Sequence, residues 1–238
     1  MANTSHIIQP NAAALAAHVA EWLTAQAEAS TGTFSISLSG GSTPKALYSL
    51  LATEPYASRV PWSRVHLFFG DERFVPHTHA NSNYRMVKEA LLNHVPIPAS
   101  NVHAIPADST PQDAAARYAE TLQHFYGATE LNPSKPLFNV TLLGLGEDGH
   151  TASLFPQTEA LNERTAWVAP VIGAKPEPRL TLTYPVLESS ETVAFLIAGA
   201  SKHAMLTRAM EQDATIPAGR LKPAGNLIWF TDTAAANG

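Results

Sequence analysis

The chain has 238 residues, of which 45% are hydrophobic and 15% are charged, so it can bury a sizeable core and is not expected to be disordered. Its 15 Lys and Arg residues against 20 Asp and Glu residues give a formal charge of −5, which argues against broad electrostatic binding to nucleic acid or to an anionic membrane. The chain contains no cysteine, which excludes disulfides, thiolate metal sites and a cysteine nucleophile.

The sequence shows neither a membrane-spanning stretch nor a targeting segment. The longest apolar run, VAFLIAGA at 193–200, is far shorter than the roughly 18 residues that a spanning helix needs. The N-terminal stretch has no Lys or Arg before its apolar part and carries His18 and Glu21 inside it, unlike a secretory signal or a basic transit peptide. We therefore expect a soluble, cytoplasmic protein.

Strand and helix signals alternate along the chain, which predicts an α/β fold with a mainly parallel sheet and helices on both faces. We expect a single domain over 1–238, with a frayed tail at about 232–238. In chain order the predicted elements are a helix capped by Asn11 and ending near 29, strand 34–38, helix 44–52, strand 65–69, a helix from Ser82 or Asn83 to about 93, strand 102–104, a helix opened by Thr110-Pro111 and ending near 126, strand 138–143, a short helix after 151, strands 167–171 and 179–183, helix 185–189, strand 192–198, helix 201–212 and strand 227–231.

Unusual polar residues follow four of the predicted strands. They are SGGST at 39–43, GDER at 70–73, GEDGHT at 146–151 and ASK at 200–202. Ligands bind in the crevice at the carboxyl ends of the strands of an open parallel sheet. The sequence therefore predicts that these four segments meet at one site.

The first segment has the composition of an anion-binding turn. Gly40 and Gly41 let backbone N–H groups approach a ligand, Ser42 and Thr43 add hydroxyl groups, and Pro44 suits a first helical turn, whose positive end favours a phosphate. The stretch does not match the GxxxxGK[ST] pattern of nucleoside-triphosphate binding. Alone, it is equally compatible with an ordinary capped turn.

The second segment supplies charge. Arg73 could hold an anion or stabilise developing negative charge, and Asp71 could orient it or act as a base, although a surface ion pair would look the same in the sequence. His77 and His79 follow in an HxH spacing, but the sequence places no third ligand beside them, so no metal site is predicted.

The third segment carries the predicted chemistry. Its glycines bring Asp148 and His150 close together, and a carboxylate beside an imidazole can orient it and stabilise its protonated form, as a general base requires. Because the chain has no GxSxG elbow, the predicted nucleophile is water. The alternative is a capping Asp followed by a solvent-facing His.

Two cations late in the chain could supply local positive charge. Arg179 begins a predicted strand, where surface placement is the ordinary outcome, and Lys202 opens a helix, where its charge opposes the helix dipole unless an anion lies nearby. Lys202 therefore meets the need for local positive charge in a chain of net charge −5, and the role of Arg179 stays open at this point.

Taken together, these segments resemble the 6-phosphogluconolactonase family. The resemblance covers nearly the whole chain and includes LSGGSTPKALYSLL, VHLFFGDERFVP, NSNYRMVKEALL, VTLLGLGEDGHTASLFP, PRLTLTYPVL, GASKHAML and IPAGRLKPAGNLIWFTD, in family order and spacing. It implies a Rossmann-like sheet, hydrolysis of a phosphosugar lactone in the oxidative pentose phosphate pathway, and neither a metal nor an organic cofactor.

The resemblance also implies residue roles. The substrate phosphate is expected on Gly40, Gly41, Ser42 and Thr43, with Asp71, Arg179 and Lys202 beside them in the substrate site. His150 matches the general base of the family, Asp148 matches its partner and Arg73 matches the arginine of the active site.

Two other functions remain open at this point. One is a glucosamine-6-phosphate deaminase or sugar-phosphate isomerase on the same fold. In sequences that resemble such deaminases, the Asp-Gly-His is followed by Ile-Ala-Phe-Asn-Glu, whereas this chain has TASLFP at 151–156. The other is a non-catalytic sugar-phosphate sensor, which would not need the Asp–His pair. No helix face shows a patch assignable to a partner, which favours a monomer.

Overall fold

The apolar runs of the sequence form the central strands of a parallel sheet. The computed structural model describes residues 3–238, and across them the main sheet has seven strands, all paired in parallel. The strands of the protein are β1 (Thr4–Gln9), β2 (Phe34–Leu38), β3 (Val65–Phe69), β4 (Asp71–Arg73), β5 (Val102–His103), β6 (Phe138–Leu143), β7 (Val168–Val171), β8 (Arg179–Leu182), β9 (Ser190–Ile197) and β10 (Asn226–Asp232).

Helices flank this sheet, and local capping signals set several of their ends. The Asn11 side chain accepts a hydrogen bond from the first turn of α1, and the Thr110 side chain does the same for α5, whose first residue is proline. The helices are α1 (Ala12–Ala29), α2 (Ser42–Leu51), α3 (Tyr56–Arg59), α4 (Asn83–Val87), α5 (Pro111–Tyr126), α6 (Tyr184–Glu188), α7 (His203–Met210) and α8 (Thr233–Asn237), with a π-helical extension of α4 over Lys88–Leu92. No helix within residues 3–238 is long and apolar enough to cross a membrane.

The strand order of the main sheet fixes the position of the site. The order is β1-β10-β9-β6-β2-β3-β5, so the chain continues from β2 to β3 on one side, while β6 pairs with the other side of β2. The order reverses between β2 and β6, and a crevice opens at the carboxyl ends of strands at such a switch point. The prediction of a Rossmann-like parallel sheet with helices on both faces is thus confirmed.

A second, antiparallel sheet was not predicted. Its order is β4-β8-β7, and β4 follows β3 after the single residue Gly70. The Gly70 N–H donates to the Leu38 carbonyl, and the Gly70 carbonyl accepts from the Leu182 N–H, both at 2.8 Å. Gly70 therefore joins the two sheets, and the small sheet stands beside the crevice.

Two predicted features are wrong. The expected helix after residue 151 is a turn closed by a bridge between Thr151 and Leu154, because its side chains are bound into the site, and a 3₁₀ turn follows at Glu159–Asn162. The tail from 232 is not frayed: Asp232 accepts a hydrogen bond at 2.8 Å from the N–H of Ala235, which is fully buried in α8. Strand β1 was also missed.

Candidate active site

A cleft of about 220 Å³ opens at the carboxyl ends of β2, β6 and β9, where the strand order reverses. All four predicted segments reach it, so the prediction of a single meeting place agrees with the structure. The lining residues are Ser39, Gly40, Gly41, Asp71, Arg73, Asn83, Gly144, Leu145, Gly146, His150, Ala152 and Lys202. Four other residues predicted for the site do not line it: Ser42 and Thr43 follow Gly41 in the chain, Asp148 is bonded to His150, and Arg179 is the register partner of Arg73.

The turn after β2 presents backbone to the cleft. Gly41 precedes α2 with a φ of 107°, a conformation that side chains rarely adopt, and within the described residues no side chain caps this helix. A Cβ on Gly40 would lie 2.2 Å from the amide oxygen of Asn83, so only glycine allows this close approach. The amino end of α2, with Ser42 and Thr43 in its first turn, therefore supplies free N–H groups and the positive end of the helix dipole.

The turn after β6 is built around glycines. The Gly146 N–H donates to the His150 carbonyl at 2.8 Å, and the Gly149 N–H donates to the Gly146 carbonyl at 3.0 Å. A Cβ on Gly146 would lie 1.9 Å from His150 Nδ1 and 2.6 Å from Asp148 Oδ1. Any side chain at 146 would thus displace the Asp–His pair.

Asp148 and His150 form the predicted pair. Asp148 Oδ1 lies 2.5 Å from His150 Nδ1 and also accepts the His150 backbone N–H at 3.1 Å. Partial burial acts to raise the pKa of Asp148, but the hydrogen bonds from His150 and its charge outweigh it and hold that pKa below the ordinary value. An ionised carboxylate accepts only, so Nδ1 carries a proton, and in the neutral form of the imidazole Nε2 keeps its lone pair. The imidazole is therefore in the tautomer that a general base needs.

Two arginines face each other across the small sheet. Arg73 on β4 is the register partner of Arg179 on β8, an arrangement of like charges that costs stability. The Arg179 side chain is only 12% exposed, and its Nε has no hydrogen-bond partner among the residues that the structure describes. Burial first, and then the charge of Arg73, lower the pKa of Arg179. Glu177 Oε2 lies 3.6 Å from Arg179 Nη2 and offsets part of this positive charge, and a bound anion beside the two arginines would offset more of it.

The remaining charges of the site come from opposite sides. Lys202 Nζ lies 4.0 Å from the exposed carboxylate of Glu147, which belongs to the turn after β6. Arg73 Nη1 donates to the Asn81 carbonyl at 2.6 Å. Lys202 and Arg73 both line the cleft, so positive charge meets it from two directions.

Asp71 is tied into the protein around it. Its Oδ2 accepts from the Ser153 hydroxyl at 2.6 Å, and the Asn83 amide donates to its backbone carbonyl at 3.0 Å. All three side chains are buried. Ser153 and Asn83 were missed as site residues. Serine and asparagine are common in ordinary turns, so the sequence gives no sign that these two support the site.

Glu72 was also missed. Its buried carboxylate accepts from the backbone N–H groups of Arg73, Asn83 and Tyr84 at 2.7, 2.7 and 2.8 Å, and from the Ser82 hydroxyl at 3.1 Å. Burial raises the pKa of Glu72, although these bonds oppose the shift. Glu72 thus fixes the start of α4 against β4 and holds Asn83 beside the cleft.

The two histidines of the HxH spacing do not converge. His77 Nε2 lies 2.8 Å from the carbonyl oxygen of Ile105, whereas His79 Nδ1 accepts the backbone N–H of Asn81 at 3.1 Å. Within residues 3–238 no three His, Cys, Asp or Glu side chains group as metal ligands would.

Comparison with known proteins assigns the family. The family described as glucosamine-6-phosphate isomerases/6-phosphogluconolactonase matches residues 10–229. The chain belongs to this family. Its predicted membership is therefore confirmed, and the match spans every segment of the site.

Individual relatives agree with that assignment. The chain is 43% identical to a 6-phosphogluconolactonase of Nostoc sp. over 86% of this chain and 84% of that protein. It is 42% identical to a 6-phosphogluconolactonase of Rattus norvegicus over 94% and 88%. The crystal structure of a 6-phosphogluconolactonase from Thermotoga maritima superposes with a TM-score of 0.84 at 28% identity, over 97% of this chain and 100% of that one.

Proposed function

We propose that this protein hydrolyses 6-phospho-D-glucono-1,5-lactone to 6-phospho-D-gluconate, the second step of the oxidative pentose phosphate pathway. The observation that carries the proposal is the Asp148–His150 pair, whose imidazole lines a cleft with cationic walls. The similarity to 6-phosphogluconolactonases over most of the chain supports the same substrate.

The anionic end of the substrate binds at the glycine turn. Backbone N–H groups at Gly40 and Gly41 and the amino end of α2, with the Ser42 and Thr43 hydroxyls, hold the phosphate. Arg73, Arg179 and Lys202 neutralise its charge through charge-assisted hydrogen bonds. Asp71 accepts a hydrogen bond from Ser153 in the segment after His150, and its negative charge attracts Arg179.

The reaction takes place at His150, whose imidazole also lines the cleft. His150 Nε2 removes a proton from water, and the resulting hydroxide attacks the lactone carbonyl at C1. Asp148 holds the imidazole in the correct tautomer and stabilises the imidazolium that forms. Backbone N–H groups of the turn or Arg73 stabilise the oxyanion, and the imidazolium then donates its proton to the ring oxygen as the C1–O bond breaks. These steps include no oxidation or reduction, so they call for no redox cofactor.

The surroundings of His150 do not favour a deaminase. The Phe155 ring packs against the imidazole with a centroid distance of 4.6 Å, and Ser153 is bound to Asp71. The segment after the histidine therefore supplies an aromatic contact to the imidazole and a hydrogen bond to Asp71, where the deaminases of this fold carry a glutamate.

A substrate panel tests the proposal. Freshly generated 6-phosphogluconolactone, unphosphorylated gluconolactone and glucosamine 6-phosphate are compared, with the spontaneous rate of lactone opening subtracted. We expect kcat/KM for the phosphorylated lactone to exceed that for the unphosphorylated one by at least about 10²-fold, because several charge-assisted hydrogen bonds are lost with the phosphate. Ammonia release from glucosamine 6-phosphate, or tight binding of 6-phosphogluconate without lactone turnover, would refute it.

A further inference from the structure

One motif of the sequence lies outside the cleft. The stretch IPAGRLKP belongs to a segment between α7 and β10, and none of its residues lines the cleft. We call residues 213–221 the supporting segment. It contains a 3₁₀ turn at Ala218–Arg220 and packs on the catalytic turn.

The supporting segment is braced by Arg208 of α7 and by hydrogen bonds among its own residues. Arg208 Nε donates to Asp213 Oδ2 and Arg208 Nη2 donates to the Thr215 hydroxyl, both at 2.7 Å. Asp213 Oδ1 accepts the Thr215 N–H at 2.9 Å and its hydroxyl at 2.6 Å. A Cβ on Gly219 would lie 2.1 Å from the backbone carbonyl oxygen of Asp213, so the segment folds tightly onto itself. Its shape is therefore set independently of the catalytic turn.

Two groups of this segment contact Gly149, the residue before His150. The Ala218 N–H donates to the Gly149 carbonyl at 3.0 Å. The side chain of Ile216 occupies the space that a side chain at 149 would need, since a Cβ there would lie 2.7 Å from Ile216 Cβ. Gly149 itself has a φ of 80°, a conformation that only glycine adopts without strain. Both groups are buried.

The peptide between Gly149 and His150 is thus held at both ends. Its carbonyl accepts from Ala218, and its N–H donates to Asp148 Oδ1, the same oxygen that binds His150 Nδ1. Because a peptide unit is planar, a tilt of its carbonyl also moves its N–H and the start of the histidine side chain. The contacts of Ile216 and Ala218 with this peptide therefore control the geometry of the Asp–His pair.

We propose that Ile216 and the backbone N–H of Ala218 are positioning groups that hold His150 in its reactive geometry. The inference rests on the proposed function for its kinetic consequence, because His150 acts there as the base. The residues proposed to hold the phosphate, Gly40, Gly41 and Lys202, belong to segments other than the supporting segment, so loosening the supporting segment is expected to affect turnover more than substrate binding.

The test replaces Ile216 by Ala, with Leu23→Ala as a matched control. Leu23 is equally buried in α1, among Ala27, Val60 and Trp62, and none of these residues lines the cleft. Both changes remove a branched aliphatic side chain from the core. We expect Ile216→Ala to lower kcat about 10–10²-fold with KM within about twofold, because small displacements of a catalytic group are costly, and Leu23→Ala to leave both constants unchanged. If Ile216→Ala does not fold, Ile216→Val gives the same pattern with a smaller loss.

Two further measurements separate positioning from general stability and from the proposed function. The low-field NMR resonance of the His150 Nδ1 proton, assigned by its loss in His150→Gln, should broaden or shift in Ile216→Ala and stay in place in Leu23→Ala. In a double-mutant cycle, Ile216→Ala should cause no further loss of kcat in a His150→Ala background. An unchanged resonance, or additive losses, would overturn the proposal. A changed resonance in a protein without lactonase activity would refute the proposed function alone.

Discussion

Two histidine pairs of this protein show how partner and burial decide what an imidazole does. His150 lines the cleft, and its Nδ1 is bound to the Asp148 carboxylate. His103 lies on β5 at the edge of the main sheet, where its Nε2 is 3.1 Å from Nδ1 of His66 and its ring stacks on Phe68 at 4.2 Å. Burial, with a contribution from the charge of His66, lowers the pKa of His103 to about 4.

The difference lies in the second group of each pair. A carboxylate stabilises the imidazolium, so the first pair can accept a proton and release it again during a reaction. A second imidazole in an aromatic cluster offers no such stabilisation, so His103 stays neutral at ordinary pH and packs, half-buried, against Phe68 and Phe125. The aligned carboxylate and the open cleft, rather than the histidine itself, distinguish the proposed catalytic pair from the second pair.

The largest expected effect comes from neutralising the carboxylate of the first pair. We expect Asp148→Asn to lower kcat by about 10²–10⁴-fold, because the amide no longer enforces the tautomer with Nε2 free or stabilises the imidazolium. His66→Asn, the equivalent change in the second pair, should leave kcat unchanged. Steady-state hydrolysis of 6-phosphogluconolactone measures both. Equal losses in the two variants would remove the distinction between the pairs.

A smaller effect is expected for the arginine pair beside the cleft. Arg179→Met should raise KM about 10–10²-fold, since a charge-assisted hydrogen bond to the phosphate is lost, and change kcat little. The free energy of unfolding of the unliganded protein should not fall, because the cost of burying this guanidinium and the repulsion from Arg73 together outweigh its attraction to Asp71 and Glu177. Arg59→Met is the control, since Arg59 pairs with Glu21 and Glu28 on the surface and should leave KM unchanged. An unaltered KM in Arg179→Met would exclude Arg179 from the anion site.

The smallest effect concerns how the second pair, His66 and His103, changes the stability of the protein with pH. The folded-state pKa of His103 lies below its ordinary value of 6.5, so the unfolded chain binds this proton more readily and stability is lost as the pH falls from about 6.5 to about 4. Because the ring is only half-buried, we expect a loss of about 1–2 kcal/mol after allowance for solvent screening. Urea unfolding across this range should show a flatter pH dependence for His103→Gln than for the parent. The same slope in both proteins would contradict the assignment.

Sequence reasoning located the elements whose signals are local. The strands 65–69 and 138–143 and the helix 111–126 have the predicted bounds, because each combines a continuous apolar run or a capping pair with clear ends. Strand β1 was missed because it is an edge strand whose side chains alternate between exposed and half-buried positions. The small sheet was missed because its short strands are defined by pairing with distant residues.

The site follows the same rule, in that the residues with a local sequence signal were located. Gly40, Gly41, Arg73, His150 and Lys202 were placed correctly in one cleft, since position at the carboxyl end of a parallel strand is readable from the sequence. The roles predicted for these residues stay predictions until they are tested by substitution.

What could not be predicted depends on long-range contacts. Ser153 meets Asp71 from 82 positions away in the chain, and Ile216 meets Gly149 through a segment that follows α7. A one-dimensional pattern contains no signal for such supports.

The most direct test of His150 as the general base compares His150→Ala and His103→Ala with the parent protein. Initial rates of 6-phosphogluconolactone hydrolysis are measured with the spontaneous rate subtracted, and circular dichroism checks that each variant is folded. We expect His150→Ala to lower kcat by about 10²–10⁴-fold and His103→Ala to retain the parent kcat. Undiminished lactone turnover in a folded His150→Ala variant would contradict this assignment.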